Sequence, residues 1–546
     1  MSNKTRGADA LVHSLKQQGV SRIFTLSGNH IMPLYDAAFG AGIELIHTRH
    51  EAAAVHMSDA YARLTGSPAV ALVTGGPGHA NAVSALYTAQ MAESPVVLLS
   101  GHAPHAQRGM GAFQEMAQAE MAAPVTKSSW TCESANAVAF DMQKAISTAG
   151  SGRPGPVHVS LPTDVLEAST PLVALSTESI RAPVQLGKDD VIQFIEKLTN
   201  ARRPLILCGP SCLSRSGRER MTQLATASGV PVVGMESPRG VADPSLGAFA
   251  QVLAESDCVL LLGKRMDFTL KFGAAPTFAA NCTFLQIDPD EAELARAQRA
   301  LGSKLIHARN APVDVAISQL RDAFRTIARE ATASTDHGWR DEVASAIAYR
   351  PDAWKAASSS QPDRLHPVQA LRPLQAILDS HPDSVFISDG GEIGQWAQAC
   401  LHAPHRVING VAGSIGAALP FALAARVAKP DAPVIAVMGD GTFGFHPSEI
   451  DTAVRYGLPF LAVVGNDARW NAEYQIQLRA YGANRLIGCE LLPTRYDAVT
   501  AAFGGYGEQV THADQLMAAA NRAMASGLPA CLNVMIEGLA APNIKR

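Results

Sequence analysis

The sequence predicts a chain of parallel-sheet α/β domains, and three observations predict it. Short apolar runs alternate with helical patterns along almost the whole chain, the order that gives parallel sheets covered by helices. Several runs, VIAVM and CVLLLG among them, are apolar throughout instead of alternating, as strands buried on both faces are. At 546 residues the chain exceeds what one core can bury, so roughly two to four domains are expected.

In chain order, the first set of runs is RIFTL, ELIHT, AVALVT, PVVLLS and PVHVSLP, which places one domain at 1–168. The stretch EASTPLVALSTESIRAPVQ reads as a linker. A second set, RPLILCG, PVVGM, CVLLLG and TFLQID, places a middle domain at 186–330. The polar, proline-bearing stretch ATASTDHGWRDEVASAIAYRPDAWKAASSSQPDRLHP reads as a connector. A third set, SVFISDG, VIAVMGD, FLAVVGND and ACLNVMI, places the last domain at 363–546. No short-period repeat or low-complexity segment is evident.

Composition narrows the function classes. The net charge is −4, with 17% charged residues, so neither a nucleic-acid surface nor a charged tail is implied. The apolar runs are of strand length, far below the ~20 residues of a membrane span. The N-terminal MSNKTRGADALVHSL lacks the apolar core of a signal peptide. The eight cysteines form no CxxC pair and read as reduced, mostly buried thiols of a cytoplasmic protein. Gly150-Ser-Gly152-Arg-Pro-Gly155 matches GxGxxG but precedes a strand. A dinucleotide site needs those glycines between a strand's end and a helix's start, so this one is a turn.

The chemistry concentrates in 438–471, MGDGTFGFHPSEIDTAVRYGLPFLAVVGNDARWN. VIAVM ends in Gly-Asp-Gly and FLAVVG ends in Asn-Asp, with PSEIDTAVRYG between them as a short helix stopped by glycine. That is a strand–helix–strand unit with an oxygen ligand at each strand's C-terminal end, where open α/β sheets bind ligands. Gly439 and Gly441 allow close backbone approach to a phosphate, and Thr442 adds an N–H and a hydroxyl. Asp440 is a hard oxygen ligand suited to magnesium. Asp467 lies 27 residues on, and a backbone carbonyl near Arg469 can supply a third ligand. Alone, Gly-Asp-Gly is a common tight turn with an exposed Asp; the second strand ending NDxxW is what turns it into a metal site.

At these residues the chain resembles the thiamine-diphosphate (ThDP) enzymes, whose diphosphate–magnesium motif is GDG, about 27 residues, then NN or a variant. Within that superfamily it is most similar to the acetolactate synthase, benzaldehyde lyase and 2-hydroxyacyl-CoA lyase group. The resemblance covers nearly the whole chain and implies a pyrimidine-binding domain, a middle domain and a diphosphate domain, in that order. Asp467 stands where the family usually has Asn, which adds a negative charge and implies stronger magnesium binding or greater pH sensitivity.

The resemblance also assigns the other half of the site. RHEAAAVHMSDAYARLTG reads as an amphipathic helix with Glu51 in its first turn. A glutamate there is favoured by the helix dipole alone. In the family, the matching carboxylate contacts N1′ of the aminopyrimidine and makes the 4′-amino group acidic, able to take the thiazolium C2 proton. A carboxylate in an apolar pocket suits that task. Gly413-Ser414-Ile415-Gly416 resembles the segment whose backbone carbonyl (Gly413) and bulky side chain (Ile415) hold the aminopyrimidine. Ser388-Asp-Gly-Gly-Glu392-Ile-Gly-Gln-Trp396 resembles the second diphosphate-side loop, with Gly391, Glu392 and Ile393 at the cofactor. Thr74-Gly-Gly-Pro-Gly78-His79-Ala-Asn81 resembles the glycine-rich turn on the pyrimidine side, placing Thr74 and Gly78 there.

Substrate-side residues follow from LSGNHIMPLYDA and GAFQEMAQAEMAAPVTK. The first resembles the GAH stretch of benzaldehyde lyase and makes His30 a proton shuttle, with Asn29 beside it. The second places Gln114 near the reacting carbon. His79, unusual for the turn, and Trp470 and Glu473, which follow the magnesium turn, are further substrate-side candidates. In the middle domain, GKRMDFTLKFG resembles 2-hydroxyacyl-CoA lyases. PRGVADPSLGAFAQVLAESD is shorter than the flavin-contacting segment of acetolactate synthases, so FAD is not expected.

The expectation is a ThDP- and Mg2+-dependent carbon–carbon lyase or carboligase acting on 2-hydroxy-carbonyl or 2-hydroxyacyl substrates and aldehydes. It would be a homodimer or homotetramer with ThDP at the subunit interface. The alternatives are an acetolactate-synthase-like 2-oxo acid decarboxylase and carboligase, a flavin- or nucleotide-linked oxidoreductase, and a non-catalytic ThDP-fold protein. Glu51, Asp440 and Asp467 together oppose the last, because a protein that only binds has no use for Glu51.

Overall fold

The computed structural model describes residues 5–172, 184–330 and 337–546. It contains three parallel sheets covered by helices, the predicted three-domain α/β architecture. The first sheet comprises β1 (Arg22–Thr25), β2 (Glu44–His47), β3 (Ala69–Val73), β4 (Val96–His102), β5 (Ser128–Thr131) and β6 (Val157–Pro162). The middle sheet comprises β7 (Pro204–Cys208), β8 (Val232–Gly234), β9 (Cys258–Leu262), β10 (Thr283–Asp288) and β11 (Leu305–Asn310). The third comprises β12 (Val385–Asp389), β13 (His405–Ile408), β14 (Val434–Gly439), β15 (Leu461–Asn466), β16 (Tyr506–Val510) and β17 (Ala530–Met535). The EASTPLVALSTESIRAPVQ linker lies largely outside the described residues.

The first and third sheets share one strand order. It is β2-β1-β3-β4-β6-β5 in the first and β13-β12-β14-β15-β17-β16 in the third. In each, the opening strand is flanked by the second strand on one side and the third on the other. The chain reverses direction across the sheet there, and loops leaving the carboxyl ends of these strands part to leave a crevice. The two crevices are therefore fixed by topology at β1/β3 and at β12/β14.

These two sheets belong to one compact unit, made of Met1–Ser179, Ser359–Gly394 and His402–Leu539. They share a core through the helices Glu51–Thr65 and Ala418–Ala428. Both helices are alanine-rich, so their backbones approach closely. The first starts where His50 caps it, its Nδ1 accepting from the Ala52 N–H at 3.1 Å, and stops at Gly66 with φ 73°. Arg63 crosses to the third domain: it donates to the Ile408 carbonyl at 2.7 Å and stacks over Phe421. At the other end of the helix, the buried Glu449 carboxylate accepts from the Arg49 N–H at 2.9 Å.

The second unit, Ile180–Ser358 with Gln395–Leu401 and Ala540–Arg546, holds the middle sheet. Its strand order is β8-β7-β9-β10-β11. Here the structure corrects one reading. The stretch expected to be a connector contains the helix His337–Ala348. Trp339, Val343 and Ala346 from it enter the core, and the Trp339 indole N–H donates to the Pro204 carbonyl at 2.8 Å.

The GxGxxG match is a turn, as expected: the helix Val138–Gly150 ends on its first glycine, Gly152 has φ 58°, and β6 starts at Val157. All eight cysteines are free thiols, seven of them buried and Cys400 half-buried. No helix among the described residues is long and apolar enough to cross a membrane.

Candidate active site

At the first crevice, β1 runs into the turn Asn29–Ile31 and β3 into Thr74. His30 is buried, its Nδ1 3.3 Å from the Thr74 hydroxyl, and its ring stacks on Phe113 at 6.0 Å between centroids. Burial lowers the His30 pKa below its ordinary value, so the imidazole is neutral at pH 7. Gln114, the next residue after Phe113, has φ 58° and packs its backbone against Gly76. A Cβ on Gly76 would stand 2.7 Å from the Gln114 Cβ, so the glycine is what lets the two loops meet. His30, Thr74 and Gln114 are thus brought together, with Asn29 exposed beside them.

Glu51 joins the same group from the end of β2. Its Oε2 accepts from the Asn81 amide at 3.0 Å. Its Oε1 would be 3.4 Å from a Cβ on Gly78, and that Cβ would strike the Thr74 methyl at 2.7 Å. Thr74 and Gly78 therefore sit between His30 and Glu51. His79 does not join them, which corrects its expected substrate-side place. It is fully buried behind the turn, its Nδ1 2.9 Å from the Ser100 hydroxyl and its ring 4.5 Å from His158. Burial pushes its pKa down to about 4.

Gln118 is a residue that sequence reasoning missed. Its buried amide accepts from the Gly76 N–H at 2.8 Å and donates to the Gly101 carbonyl at 3.1 Å and the Ser160 hydroxyl at 3.0 Å. It locks the glycine turn to β4 and β6. The signal was a second glutamine four residues after Gln114.

The second crevice lies at β12 and β14. Gly390 and Gly391 leave β12 with φ 58° and 64°. A Cβ on Gly390 would collide with the Thr442 side chain, and a Cβ on Gly391 would stand 3.9 Å from the Gly439 Cα. Two backbone turns therefore lie against each other where a phosphate-bearing ligand would need bare N–H groups. Glu392 and Ile393 are buried at the start of the following helix, and Ile393 fills the space beside Gly439 and Gly465. Asp389, also missed, accepts from the Gly416 N–H at 3.0 Å and the Ala418 N–H at 2.8 Å. That ties the Gly413–Ile415 turn to the end of β12.

Asp440 is 1% exposed, which excludes the exposed-turn reading of Gly-Asp-Gly. Its Oδ2 accepts from the Arg469 N–H at 3.2 Å, so the β14 and β15 loops converge as expected. Burial first, then the nearby Asp440 charge, push the Asp467 carboxyl up to about 8; burial pushes Asp440 up to about 6. The Asp440 charge opposes ionisation of the buried Asp467, and a cation between the two carboxylates would favour the charged form of both. Among the described residues no cluster of three or more His, Cys, Asp or Glu has metal-binding geometry. Both carboxylates are hard oxygen donors, which fits a hard cation such as magnesium that keeps positions for phosphate oxygens. Trp470 closes over Gly441, where a Cβ would meet its ring at 2.5 Å, and Phe445 meets Trp470 edge-on at 6.3 Å. Glu473 is exposed on the helix Asn471–Tyr481.

Comparison with known proteins agrees with both crevices. Residues 5–121 match the thiamine pyrophosphate enzyme N-terminal TPP binding domain, 191–304 its central domain and 389–534 its C-terminal TPP binding domain. The chain is 33% identical over 541 residues to the acetolactate synthase large subunit IlvG of Mycobacterium tuberculosis, covering 96% of this chain and 95% of that one. It is 29% identical over 585 residues to human 2-hydroxyacyl-CoA lyase 2, covering 97% and 90%. Its fold matches that of the thiamine diphosphate-dependent 4-hydroxybenzoylformate decarboxylase of Rhodococcus jostii RHA1 with a TM-score of 0.81, at 20% identity, over 98% of this chain and 100% of that one.

Proposed function

The chain belongs to the thiamine pyrophosphate enzymes, in the group of acetolactate synthases and 2-hydroxyacyl-CoA lyases, and from that membership we propose a magnesium-dependent carbon–carbon lyase or carboligase acting on 2-hydroxy-carbonyl or 2-hydroxyacyl substrates and aldehydes. Bound thiamine diphosphate supplies the electron sink for breaking or forming a bond at the carbonyl carbon. Asp440, Asp467 and the Arg469 carbonyl hold the metal. The Gly390–Gly391 and Gly439–Thr442 backbones take the diphosphate, with Ile393 beneath them. Gly413 and Ile415 hold the aminopyrimidine, and Glu51 carries a proton at its ring nitrogen. The eight free thiols suit a reducing, cytoplasmic setting.

His30 carries the lyase reading. Cleaving a 2-hydroxy compound requires a base to take the hydroxyl proton as the adjacent bond breaks. A buried imidazole that is neutral at pH 7, beside Thr74 and Gln114, is such a base. Decarboxylation of a 2-oxo acid itself removes no such proton, whereas release of a carboligation product does, so the same base serves the second half of the rival reaction. The second reading, acetolactate-synthase-like decarboxylation and carboligation of 2-oxo acids, is favoured by the extent of identity to the mycobacterial protein. The test is to incubate the ThDP- and magnesium-loaded protein separately with acyloins, 2-hydroxyacyl-CoAs and 2-oxo acids and to identify products by mass. Aldehyde release from the first two supports the lyase; turnover of 2-oxo acids alone replaces it with the second reading.

A further inference from the structure

Glu51 is only half-buried, and its side chain has several rotatable bonds. Nothing on its own helix hydrogen-bonds its carboxylate among the described residues. The group that does is the Asn81 amide, which donates to Oε2 at 3.0 Å. Asn81 sits in the helix Pro77–Met91, whose first turn is fastened on two sides. Gly76, its cap, donates its N–H to the buried Gln118, and His79 is held by Ser100. Gly78 in the same turn has no side chain to cover the other carboxylate oxygen. One oxygen is held and the other is left open.

We propose that Asn81 is the positioning residue of Glu51, resting on the proposed role of Glu51 at the aminopyrimidine ring nitrogen. It fixes Oε2 so that Oε1 is the atom presented to that nitrogen. Its chemistry suits the task in a way a charged donor would not. A lysine or arginine would hold the carboxylate ionised and oppose its sharing a proton, and an aspartate would repel it. The asparagine amide is a neutral donor that orients the carboxylate and leaves the proton exchangeable.

The test uses the full-length protein loaded with ThDP and magnesium and reads hydrogen–deuterium exchange at the cofactor's C2 by acid quench and NMR. Cofactor affinity is measured separately by calorimetry. Asn81→Ala should slow exchange about tenfold, the effect expected of one hydrogen bond to a charged group, with ThDP affinity within about twofold of the parent. Asn81→Asp has nearly the same shape and lacks the donor; it should be as slow. Asn81→Gln keeps the donor on an exposed position and should recover most of the rate. Parental exchange in Asn81→Ala or Asn81→Asp overturns the proposal, and so does a glutamine variant no faster than alanine. Joint loss of exchange and of cofactor affinity in Asn81→Ala overturns it as well, because it makes Asn81 a binding residue. A Glu51→Gln protein exchanging at the parental rate would instead remove the role of Glu51 itself, a distinct failure.

Discussion

The direction in which His30 can move a proton is set by burial, which disfavours its charged form. Truncation to His30→Ala should lower kcat by roughly 10²–10⁴, the range for losing a general acid–base group, while ThDP affinity stays unchanged by calorimetry. Gln114→Ala should cost less, because an amide orients a hydrogen bond but does not act as an acid or base near neutral pH. At the Asp440–Asp467 pair burial raises the pKa instead of lowering it. Asp467 is pushed up to about 8 and Asp440 to about 6, so the folded apo-protein retains protons that the unfolded chain has released above the ordinary carboxylate value of 3.8. Stability therefore falls as pH rises through this window. The buried His56 and His158 are lowered below 6.5 and act only under that value, while Lys127, lowered to about 8, opposes the trend only at the alkaline end. Between pH 6.5 and 7.5 the melting temperature of the magnesium-free protein should fall, with the buried Asp389, pushed up to about 7, adding to the trend, and Asp467→Asn should reduce that slope by its own share. Magnesium affinity should rise over the same range, since the ion displaces the retained protons. Asp440 and Asp467 stand out in the sequence at the ends of apolar runs, and the family resemblance singles out Glu51. Asn81, Gln118 and Asp389 act through partners 30, 42 and 27 residues away, distances that only the folded sheet order closes.

Strands were legible where their residues form a run that is apolar in sequence. The strands read from continuous apolar runs, such as β3, β9, β14 and β17, are buried at every residue. Those missed from the three large sheets are edge strands: β5 is SSWT with every residue half-buried, β16 is YGEQV with only its last residue buried, β11 alternates buried with open positions, and β13 is the four-residue HRVI, which opens on two polar residues although three of its four are buried. An edge strand has one neighbour and one wet side, so its sequence need not be apolar. The helix His337–Ala348 escaped for a related reason, since it buries three apolar side chains behind an otherwise polar face. The turns at the crevices make a sharper prediction. Gly390 and Gly391 both have positive φ, but only Gly390 has the Thr442 side chain in the place of its Cβ. Gly391→Ala should cost about 1–2 kcal/mol, the penalty of left-handed backbone alone. Gly390→Ala should cost distinctly more in urea unfolding and should also weaken ThDP binding, because Thr442 must move. Equal losses at the two positions would mean that the turns are not packed as described.

At the scale of the whole molecule, the candidate residues divide between the two crevices: Glu51 with His30 at β1/β3, and Asp440 with Asp467 at β12/β14. No hydrogen bond or ion pair among the described residues joins Glu51 to either aspartate. Large apolar side chains stand exposed on the loops near the crevices, with Met110 at 76%, Phe113 at 68% and Phe445 at 51%, and further along with Ile487 at 80% and Leu492 at 79%. Where exposed apolar side chains gather in one patch, they mark a binding or interaction surface. In a two-fold dimer the first crevice of one subunit can face the second crevice of its partner, so that two complete sites form across one interface. Two variants separate this arrangement from a site within one chain. Glu51→Gln should keep the cofactor and lose turnover, because the diphosphate anchor is intact. Asp440→Ala should lose cofactor affinity, because the diphosphate charge needs the ion. Each is inactive alone under either arrangement. If the site is shared, a mixed dimer has one site carrying both substitutions and one carrying neither. Co-refolding equal amounts should then restore about a quarter of parental activity, as random two-fold pairing gives half the dimers one intact site. If each chain builds its own site, every site in the mixture keeps a substitution and activity stays at the level of the single variants. An active monomer by sedimentation, or no recovery on mixing, would place both halves of the site in one chain.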